Sequence, residues 1–591
     1  MSTQDPTATT ADTTADASHI DIVVPEGYTW FFVQNASTVV DKLLEDELAW
    51  RDPNAQYTDR YKNGSWDGFH HIYNSEHSGA PIGLLGRAVQ FLEAEGYTVE
   101  TTIEGDRSGA SIATEWNFPH SLRAYQQEAV EASLDKQMGV ISIPTGGGKT
   151  VVALNVIHNV EQQAIVFVHT TNLLYQWADQ IESVLGVEPG VIGDGEWSEG
   201  PVTVATIQSL LSNDISDLDG HYGIAIFDEC HTTSGAKKMQ QVGLEFDTEY
   251  RIGLSATPWR ATPGEELEIE AAVGECISVI DAEQLIDDGH LAKPEFRFVD
   301  AEGQRTAKPG EDYHDVVRRC RELAPVRNST VAATAADLAD EGYTVHVSVD
   351  RINQGKLLEY ALDASTTAAD VREDIIGDGD DTQARAEKDA AIDNLDAISE
   401  YNAVFLHGSD INDVRQEAFD QFQAGEIDIL ISTLLKEGVD IPEISAIVHA
   451  EGGKSEIERI QRAGRALRPS NGDHAVIADV RDQGKYLADH FEERVDILDQ
   501  YYGAYGPTGG IDERIETVEA YLEDKGVFTD PCSFSVREDG AVEIELDGYM
   551  PGNEFNTFRN AVQNASGIRY NGDANVAAPD WVAQLPTPNA A

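Results

Sequence analysis

Basic residues and cysteine are scarce in this chain of 591 residues, and long apolar runs are absent from it. The four cysteines, at positions 230, 276, 320 and 532, do not have the spacing of metal ligands. This excludes a cysteine-held cluster and a disulfide framework, and it fits a reducing cytoplasm. No stretch stays apolar over the ~20 residues that a membrane helix needs. We therefore predict no membrane span and a cytoplasmic location.

The charge balance is strongly acidic, with 41 Lys and Arg against 105 Asp and Glu and a formal net charge of −64. Nucleic-acid-binding proteins normally have a basic surplus, so the charge alone argues against that class of partner. An alternative interpretation is adaptation to a salt-saturated, halophilic cytoplasm. At molar salt the Debye length is ~3 Å, so an acidic surface hardly repels DNA beyond contact range. The motifs described below favour the halophilic interpretation.

Short β-rich runs alternate with helical patterns twice along the chain, which predicts an α/β fold with two tandem parallel-sheet lobes. A small α+β domain precedes the lobes and a small α+β accessory module follows them. Between the first two strands of the second lobe, residues 363–400 are rich in Asp, Ala and Thr. We interpret that stretch as a surface insertion and predict a solvated loop there. The predicted divisions are a disordered tail at 1–18, the N-terminal domain at 19–115, the lobes at 116–295 and 322–490, and the accessory module at 511–591.

The segment ISIPTGGGKT, residues 141–150, follows an apolar strand and precedes a helical pattern. Glycines at this position let backbone N–H groups converge on phosphate oxygens at a helix N-terminus. Lys149 is expected to meet the β- and γ-phosphates, and Thr150 to ligate Mg²⁺. Ile143 stands where the general pattern has glycine, so this motif alone would also fit an ordinary glycine-rich turn. The other predicted phosphate-loop residues are Thr145, Gly146, Gly147 and Gly148.

The segment IAIFDECH, residues 224–231, is an apolar strand that ends in two carboxylates and a histidine. Asp228 is placed to hold Mg²⁺, and Glu229 to orient and deprotonate the attacking water. His231 is expected to couple the nucleotide site to the second lobe. Ser255 and Thr257 end a later strand, and we predict that their hydroxyls hydrogen-bond the carboxylates.

Further nucleotide contacts are predicted on both sides of these motifs. Gln126 has the paired donor and acceptor that would read the edge of adenine, and Arg123 lies beside it. In the second lobe, Arg465 and Arg468 are spaced i,i+3 and can face one direction on a helix. An arginine pair directed at the γ-phosphate speeds hydrolysis. The remaining predicted cofactor-binding residues of that lobe are Gly438, Asp440 and Gln461.

The ordered set LRAYQ, PTGGGKT, HTTNLLYQW, VATIQSL, DECH, SAT, LLKEGVDIP and QRAGRALR resembles the superfamily 2 helicases of the DExH type over about residues 120–490. The resemblance implies two RecA-like P-loop lobes that use ATP and Mg²⁺ and that hold nucleic acid. Contacts to phosphates need polar groups and amides more than net charge. The residues that the resemblance implies for this role are Thr170, Gln176, Thr206, Gln208 and Thr433.

Two features point to DNA within that superfamily. Gln461 stands where DEAD-box RNA helicases usually have His, and the box reads DECH. The XPB-type repair helicases have an Arg-Glu-Asp element soon after the SAT motif. This chain has Arg-Ala-Thr at 260–262, so that element is missing.

The N-terminal segment, with GSWDG at 64–68 and PIGLL at 81–85, resembles the N-terminal domain of the UvsW helicase family. That resemblance implies a small DNA-binding domain. Its basic–aromatic patch consists of Arg60, Lys62, Trp66, His70, His71 and Tyr73. An equally weighted interpretation makes Trp66 and Tyr73 core aromatics.

The predicted function is an ATP-dependent DNA helicase or translocase, an ATP hydrolase that remodels branched DNA in repair or recombination. RNA in R-loops is a second possible nucleic-acid partner. One alternative is the motor subunit of a restriction or defence system, with its nuclease on another chain. The other is an ATP-gated nucleic-acid clamp that does not unwind.

Overall fold

The computed structural model describes most of residues 19–507 and four short strands beyond them. Within 19–507 it leaves out 53, 113–115, 117, 216–217, 219–221, 232–235, 258–262, 309, 378–379, 381, 435–443, 453–463, 465–473 and 485. The chain divides into two compact units between Ile280 and Asp281, with the loop Pro144–Gly147 grouped with the second unit. In the part of the chain that the structure describes, no helix combines the length and the apolar character needed to cross a bilayer.

The first unit begins with a small α+β module. Its elements are β1 (His19–Val24), β2 (Trp30–Val33), α1 (Thr38–Glu47), β3 (Ala49–Arg51), α2 (Asp59–Lys62), β4 (Phe69–His71), β5 (Gly79–Pro81), α3 (Leu85–Ala94) and β6 (Thr98–Ile103). Four strands form a sheet in the order β5-β2-β1-β6, and β3 pairs with β4 in a separate ribbon. Alternate side chains of β1, including Ile22 and Val24, point into the core, as the period of a strand requires.

An eight-stranded sheet forms the rest of the first unit. Its strands are β7 (Met138–Ser142), β8 (Ala164–Val168), β9 (Gly190–Gly193), β10 (Glu196–Ser198), β11 (Val202–Thr206), β12 (Ile224–Phe227), β13 (Tyr250–Ser255) and β14 (Cys276–Val279). Its helices are α4 (Ala124–Lys136), α5 (Lys149–Val160), α6 (Thr171–Leu185), α7 (Ile207–Ser212), α8 (Ala236–Gly243) and α9 (Pro263–Val273).

The strand order of this sheet is β10-β9-β11-β8-β12-β13-β7-β14. All neighbours are parallel except β10, which runs antiparallel to β9. Strands β8 and β11 are buried along their whole length, because helices cover both faces of a parallel sheet. The predicted parallel sheet is confirmed, with β10 as an antiparallel addition at its edge.

Helix α9 joins the N-terminal module to this sheet. Leu267 and Ala271 of α9 lie in the hydrophobic core of the module. The Arg87 guanidinium donates to the Glu270 carboxylate through Nε at 2.9 Å and Nη2 at 2.7 Å. Gly83 packs so tightly on α9 that an added Cβ would lie 2.0 Å from the Glu270 carbonyl oxygen. The module is therefore packed onto the sheet through a shared core.

The second unit contains a six-stranded sheet in which all neighbours are parallel. Its strands are β15 (Lys293–Asp300), β16 (Val345–Ser348), β17 (Ala403–Leu406), β18 (Ile429–Ser432), β19 (Ala446–His449) and β20 (His474–Arg481). Its helices are α10 (Ala282–Asp287), α11 (Tyr313–Val317), α12 (Pro325–Asp340), α13 (Ile352–Leu362), α14 (Ala368–Ile375), α15 (Thr382–Asp393), α16 (Asn412–Gln423) and α17 (Leu487–Tyr502).

The strand order of the second sheet is β15-β20-β19-β16-β18-β17. Strand β15 pairs with β20 along its whole length, so the second lobe begins before residue 295, where the first lobe was predicted to end. The half-buried pattern of β15 is that of an edge strand. Its hydrophobic signal is weak, so the sequence did not predict a strand there.

The stretch 363–400 is not the solvated loop that its composition predicts, because helices α14 and α15 occupy much of it. The Thr367 hydroxyl accepts from the Asp370 N–H and the Asp370 carboxylate accepts from the Thr367 N–H, so a capping box starts α14. Val371 and Ile392 are buried in the core of the second unit. The prediction was wrong because the few apolar residues at helical spacing are diluted by acids.

The four C-terminal strands form a separate antiparallel sheet. They are β21 (Cys532–Val536), β22 (Val542–Leu546), β23 (Arg569–Tyr570) and β24 (Asp580–Gln584), in the order β21-β22-β24-β23. Strands β21 and β22 pair along their whole length in antiparallel register. The predicted tail at 1–18 and most of the predicted accessory module at 511–591 lie outside the described residues.

The contact between the module and α9 predicts a difference between two glycine substitutions. Gly83→Ala should lower the free energy of unfolding by about 1–3 kcal/mol, because its Cβ would press on the backbone of α9. Gly86→Ala is the matched control, since its Cβ would meet nothing nearer than a Glu275 oxygen at 3.9 Å. Thermal unfolding of the two variants checks this, and equal melting temperatures would contradict the shared core.

Candidate functional site

The carboxyl ends of five neighbouring strands of the eight-stranded sheet carry the predicted site residues of the first unit. These strands lie in the order β11-β8-β12-β13-β7. Because they are parallel, their ends meet at one edge, which is where open α/β sheets bind ligands. The residues at or just after these strand ends are Thr206, Thr170, Asp228 with Glu229, Ser255 with Thr257, and the loop 144–148.

The glycine-rich loop leads directly into α5. Gly148 is the N-cap of this helix with φ +88°, and Gly146 has φ +85°, so both occupy the left-handed region that favours glycine. Ile143 is fully buried, and its N–H donates to the Ser255 carbonyl at 2.9 Å. Ile143 is thus a core residue that precedes the loop, which explains the departure from the general pattern.

Lys149 begins α5 and lies beside the carboxylate predicted to activate water. Its Nζ is 3.4 Å from Oε1 of Glu229. The other carboxylate oxygen of Glu229 is 3.3 Å from Nδ1 of His231, whose side chain is fully buried. The structure therefore brings together the predicted phosphate-binding lysine, the predicted general base and the predicted coupling histidine.

Asp228 is almost entirely buried at the end of β12. One of its oxygens accepts from the Trp177 indole N–H at 2.8 Å, and the other accepts from the Glu229 backbone N–H at 3.1 Å. Burial raises the pKa of the Asp228 carboxyl, and the negative charge of Glu229 raises it further. Two adjacent carboxylates with little solvent around them favour the binding of a cation.

The Glu229 backbone is itself unusual, with φ +47°. A non-glycine residue in the left-handed region costs of order 1–3 kcal/mol, and such residues cluster at functional sites. This conformation turns the chain at the end of β12, so that Glu229 faces Lys149 and His231. The turn is stabilised by the buried contacts of its neighbours.

The predicted bonds from Ser255 and Thr257 to the carboxylates are wrong among the described residues. Ser255 Oγ pairs with Nδ1 of His231 at 2.8 Å and accepts from the Thr257 N–H at 2.9 Å. The Thr257 hydroxyl is buried without a hydrogen-bond partner in the described part of the chain. The strand end therefore reaches Glu229 through His231 and makes no direct bond to it.

These residues fit a magnesium–nucleotide complex. Asp228 is a buried carboxylate oriented by two N–H donors, and a divalent cation would offset its charge and that of Glu229. Thr150 follows Lys149 at the start of α5, where a hydroxyl can also reach a cation. When bound, Mg²⁺ would neutralise charge on the transferring phosphate.

Gln126 lies next to the phosphate loop. It is buried, its Oε1 accepts from the Arg123 N–H at 3.0 Å, and its Nε2 would be 2.6 Å from a Cβ at Gly148. Arg123 Nη1 donates to the Tyr125 hydroxyl at 2.9 Å. The position fits a residue near bound nucleotide, and the contact with adenine stays a prediction.

Thr170 and Thr206 are the N-caps of α6 and α7. Their hydroxyls accept from the N–H groups of Leu173 and Ser209, both at 3.3 Å. Both helices follow strands that are neighbours in the sheet, so their N-termini lie at the same edge. Helix N-termini favour phosphate, which fits the predicted nucleic-acid contacts.

The other predicted nucleic-acid residues of the core are distributed over both units. Gln176 and Gln208 lie on α6 and α7. Thr433 directly follows β18 in the second unit. The residues Gly438, Asp440, Gln461, Arg465 and Arg468 lie outside the described residues, and their roles stay predictions.

Arg60 and Trp66 of the predicted basic–aromatic patch lie together in the N-terminal module, and their contact with DNA stays a prediction. The Arg60 guanidinium lies 5.1 Å from the centre of the half-buried Trp66 ring, and Lys62 Nζ donates to the Tyr57 carbonyl. Tyr73 does not belong to it, because its ring is buried in the module's core and its hydroxyl donates to Asp41 at 2.7 Å.

Trp177 is the residue of this site that the sequence analysis missed. It lies in HTTNLLYQW, a motif interpreted through its polar members Thr170 and Gln176. The apolar spacing of Leu174, Trp177 and Ala178 indicated a buried face of α6, and an indole in a buried face needs a hydrogen-bond acceptor.

The glycine-rich loop, its lysine and the two carboxylates at the end of β12 form a site of the kind that P-loop nucleoside triphosphatases have. Residues 119–260 match the family "Type III restriction enzyme, res subunit", and residues 381–470 match "Helicase conserved C-terminal domain". These two matches correspond to the two parts of a superfamily 2 helicase core, and the predicted fold with two RecA-like lobes is confirmed.

Curated relatives carry helicase names. The chain is 29% identical over 400 residues to a "Putative DNA 3'-5' helicase Rad25" of Halobacterium salinarum, a match that covers 66% of this chain and 58% of that protein. It is 28% identical to a "DNA 3'-5' translocase XPB2" of Sulfurisphaera tokodaii, over 60% of this chain and 80% of that protein.

It is also 21% identical to "ATP-dependent DNA helicase uvsW" of phage T4, over 72% of this chain and 83% of that protein. A crystal structure of T4 UvsW aligns with 81% of this chain and 96% of that chain, at 17% identity and a TM-score of 0.37.

The burial of Asp228 predicts that Asp228→Asn stabilises the metal-free protein near neutral pH. The pKa of the Asp228 carboxyl is higher in the native protein than in the unfolded chain. The stability that this aspartate contributes is therefore lost as the pH rises from the ordinary pKa of an aspartate to the raised native pKa. The advantage of asparagine should therefore shrink as the pH falls. Thermal unfolding in a chelator against pH measures this, with Asp179→Asn on the exposed face of α6 as the control. A uniformly destabilised Asp228→Asn protein would contradict it.

Proposed function

We propose that this protein is an ATP-dependent DNA helicase or translocase that hydrolyses ATP with Mg²⁺. The observation that carries the proposal is the arrangement of Lys149, Asp228 and Glu229 at one sheet edge, with Lys149 Nζ 3.4 Å from the Glu229 carboxylate. In this role Lys149 binds phosphate, Asp228 and Thr150 hold the metal ion, and Glu229 orients and deprotonates the attacking water. Arg465 and Arg468 act on the γ-phosphate.

DNA is the proposed polymer. The helix N-termini at Thr170 and Thr206 give backbone-directed contacts, which suit a motor that must move without regard to sequence. The names of the relatives support DNA as substrate and 3'-5' as the direction of movement. The proposed work is remodelling of branched DNA in repair or recombination, with RNA in R-loops as a further partner. The proposed divisions of the chain are those predicted from the sequence, except that the first lobe ends at Ile280.

The acidic surface fits a halophilic setting. With a net charge of −64, binding to DNA at low salt would be opposed by long-range repulsion. At molar salt that repulsion is screened within ~3 Å, and only contacts made directly with phosphates matter. Activity should therefore be assayed in molar KCl.

Two other functions remain as alternatives. The res-subunit match of residues 119–260 is the observation that favours a restriction motor, although that match covers the ATP-binding region alone. An ATP-gated clamp would keep the nucleotide site and lack strand displacement. Displacement of a labelled strand from a forked DNA, measured beside ATP turnover, separates a helicase from a clamp.

Replacement of the two central side chains should abolish the motor. Lys149→Ala and Glu229→Gln are each expected to lower DNA-stimulated ATP turnover by about 100-fold or more, since each removes a group that acts on the transferring phosphate or its nucleophile. Strand displacement should disappear with turnover. The matched controls are Lys136→Ala and Glu131→Gln, both on the exposed face of α4. Normal turnover in Glu229→Gln would refute the assignment of the general base.

The N-terminal patch makes a separate prediction about DNA affinity. Trp66→Ala should weaken the binding of a forked DNA by about ten-fold, in line with the loss of one stacking contact. Arg60→Ala should weaken it too and reduce the salt dependence by about one counterion. Fluorescence anisotropy over a KCl series measures both, with Lys42→Ala in the same module as the control. If Trp66→Ala and Arg60→Ala both bind like the unmodified chain, the patch does not contact DNA.

A further inference from the structure

One buried hydrogen bond connects helix α6 to the predicted metal ligand. The Trp177 indole is 3% exposed, and its Nε1–H donates to Oδ2 of Asp228 at 2.8 Å. The opposite oxygen of Asp228 accepts from the Glu229 backbone N–H. The carboxylate is thus held at both oxygens, which leaves little freedom for its plane to rotate.

The partner of this bond lies on an element with a second role. Helix α6 begins at the Thr170 N-cap, and Gln176 directly precedes Trp177. Thr170 and Gln176 are the residues of α6 proposed to contact DNA. The buried face of the helix, with Leu174 and Ile181, packs in the core, so a shift at its N-terminus moves the indole with it.

The alternative to a functional bond is simple satisfaction of a buried indole. A backbone carbonyl would serve that purpose without adding a negative charge to the interior. Here the acceptor is a buried carboxylate. Burial disfavours its negative charge, so the hydrogen bond stabilises a group whose charged form is costly in the interior. The Trp177 indole therefore donates to the carboxylate whose orientation matters for binding of the metal ion.

We propose that Trp177 is a positioning residue that orients Asp228 for the metal ion and transmits DNA binding by α6 to the metal–nucleotide site. This inference rests on the proposed function, since it takes Asp228 as the metal ligand and α6 as a DNA contact. Trp177 touches neither nucleotide nor DNA in this role. Its effect passes through the Asp228 carboxylate in one direction and through the backbone of α6 in the other.

The test measures binding of ADP by the full chain with Mg²⁺, by calorimetry, in the absence and presence of forked DNA. Trp177→Phe keeps an aromatic ring and removes the donor. We expect it to weaken Mg²⁺-dependent ADP binding by roughly ten-fold or more, the typical effect of losing a hydrogen bond to a charged group. ADP binding without Mg²⁺ should change little. The matched control is Trp197→Phe, since Trp197 lies on β10 and is 44% exposed.

Coupling is tested in two further ways. Any change in Mg²⁺-dependent ADP affinity that DNA causes in the unmodified chain should be lost in Trp177→Phe, because linkage between two sites is reciprocal. In an Asp228→Asn background, Trp177→Phe should have no additional effect on Mg²⁺-dependent ADP binding, because the charged metal ligand that the indole orients is already lost. A merely structural role for the indole would give additive effects in this cycle.

Replacing the indole of Trp177 by the isosteric benzothiophene removes the donor and keeps the shape, in case the phenylalanine variant folds poorly. Unchanged Mg²⁺-dependent ADP binding in this protein would overturn the inference, and so would a DNA effect of unchanged size. DNA-stimulated ATP turnover of the unmodified chain is measured in parallel. If that turnover is absent, the proposed function fails. If the unmodified chain is active and the variant binds ADP as it does, only the role of Trp177 is refuted.

Discussion

The first unit is organised around two adjacent carboxylates that are held at the end of β12 with little water around them. Burial of Asp228 beside Glu229 is unfavourable, and the surrounding groups offset it with the Trp177 N–H, the Lys149 ammonium and the His231 ring. The left-handed backbone at Glu229 adds to this cost. Arrangements that lower stability in this way cluster at functional sites, and this one fits the binding of a cation and phosphate.

The groups that compensate these carboxylates come from different elements. Lys149 lies at the start of α5 and Trp177 lies on α6. His231 forms a hydrogen bond with Ser255 at the end of β13. Strand β13 precedes α9, whose inner face completes the core of the N-terminal module. The hydrogen bond between Trp177 and Asp228 therefore connects the carboxylates directly to α6, at whose N-terminus DNA contact is proposed.

Much of this arrangement was predictable, because parallel strands and glycine-rich turns leave strong local signals. The buried runs of β8, β11 and β12, and the loop before Lys149, follow from sequence period and turn chemistry. The partner of Ser255 was not predictable, since spacing does not distinguish His231 from the carboxylates beside it. Trp177 was missed because its apolar ring fits a core pattern, and the acceptor lies 51 positions away along the chain. Helices α14 and α15 were missed because acids dilute their apolar faces.

The most direct measurement of the central claim is a single turnover of ATP by the full chain in molar KCl, with forked DNA and Mg²⁺ each present or absent. The account predicts rapid hydrolysis only when both are present, because the metal ion completes the carboxylate site and DNA engages the helices that hold it. Hydrolysis at one rate with and without DNA, or without Mg²⁺, would contradict it.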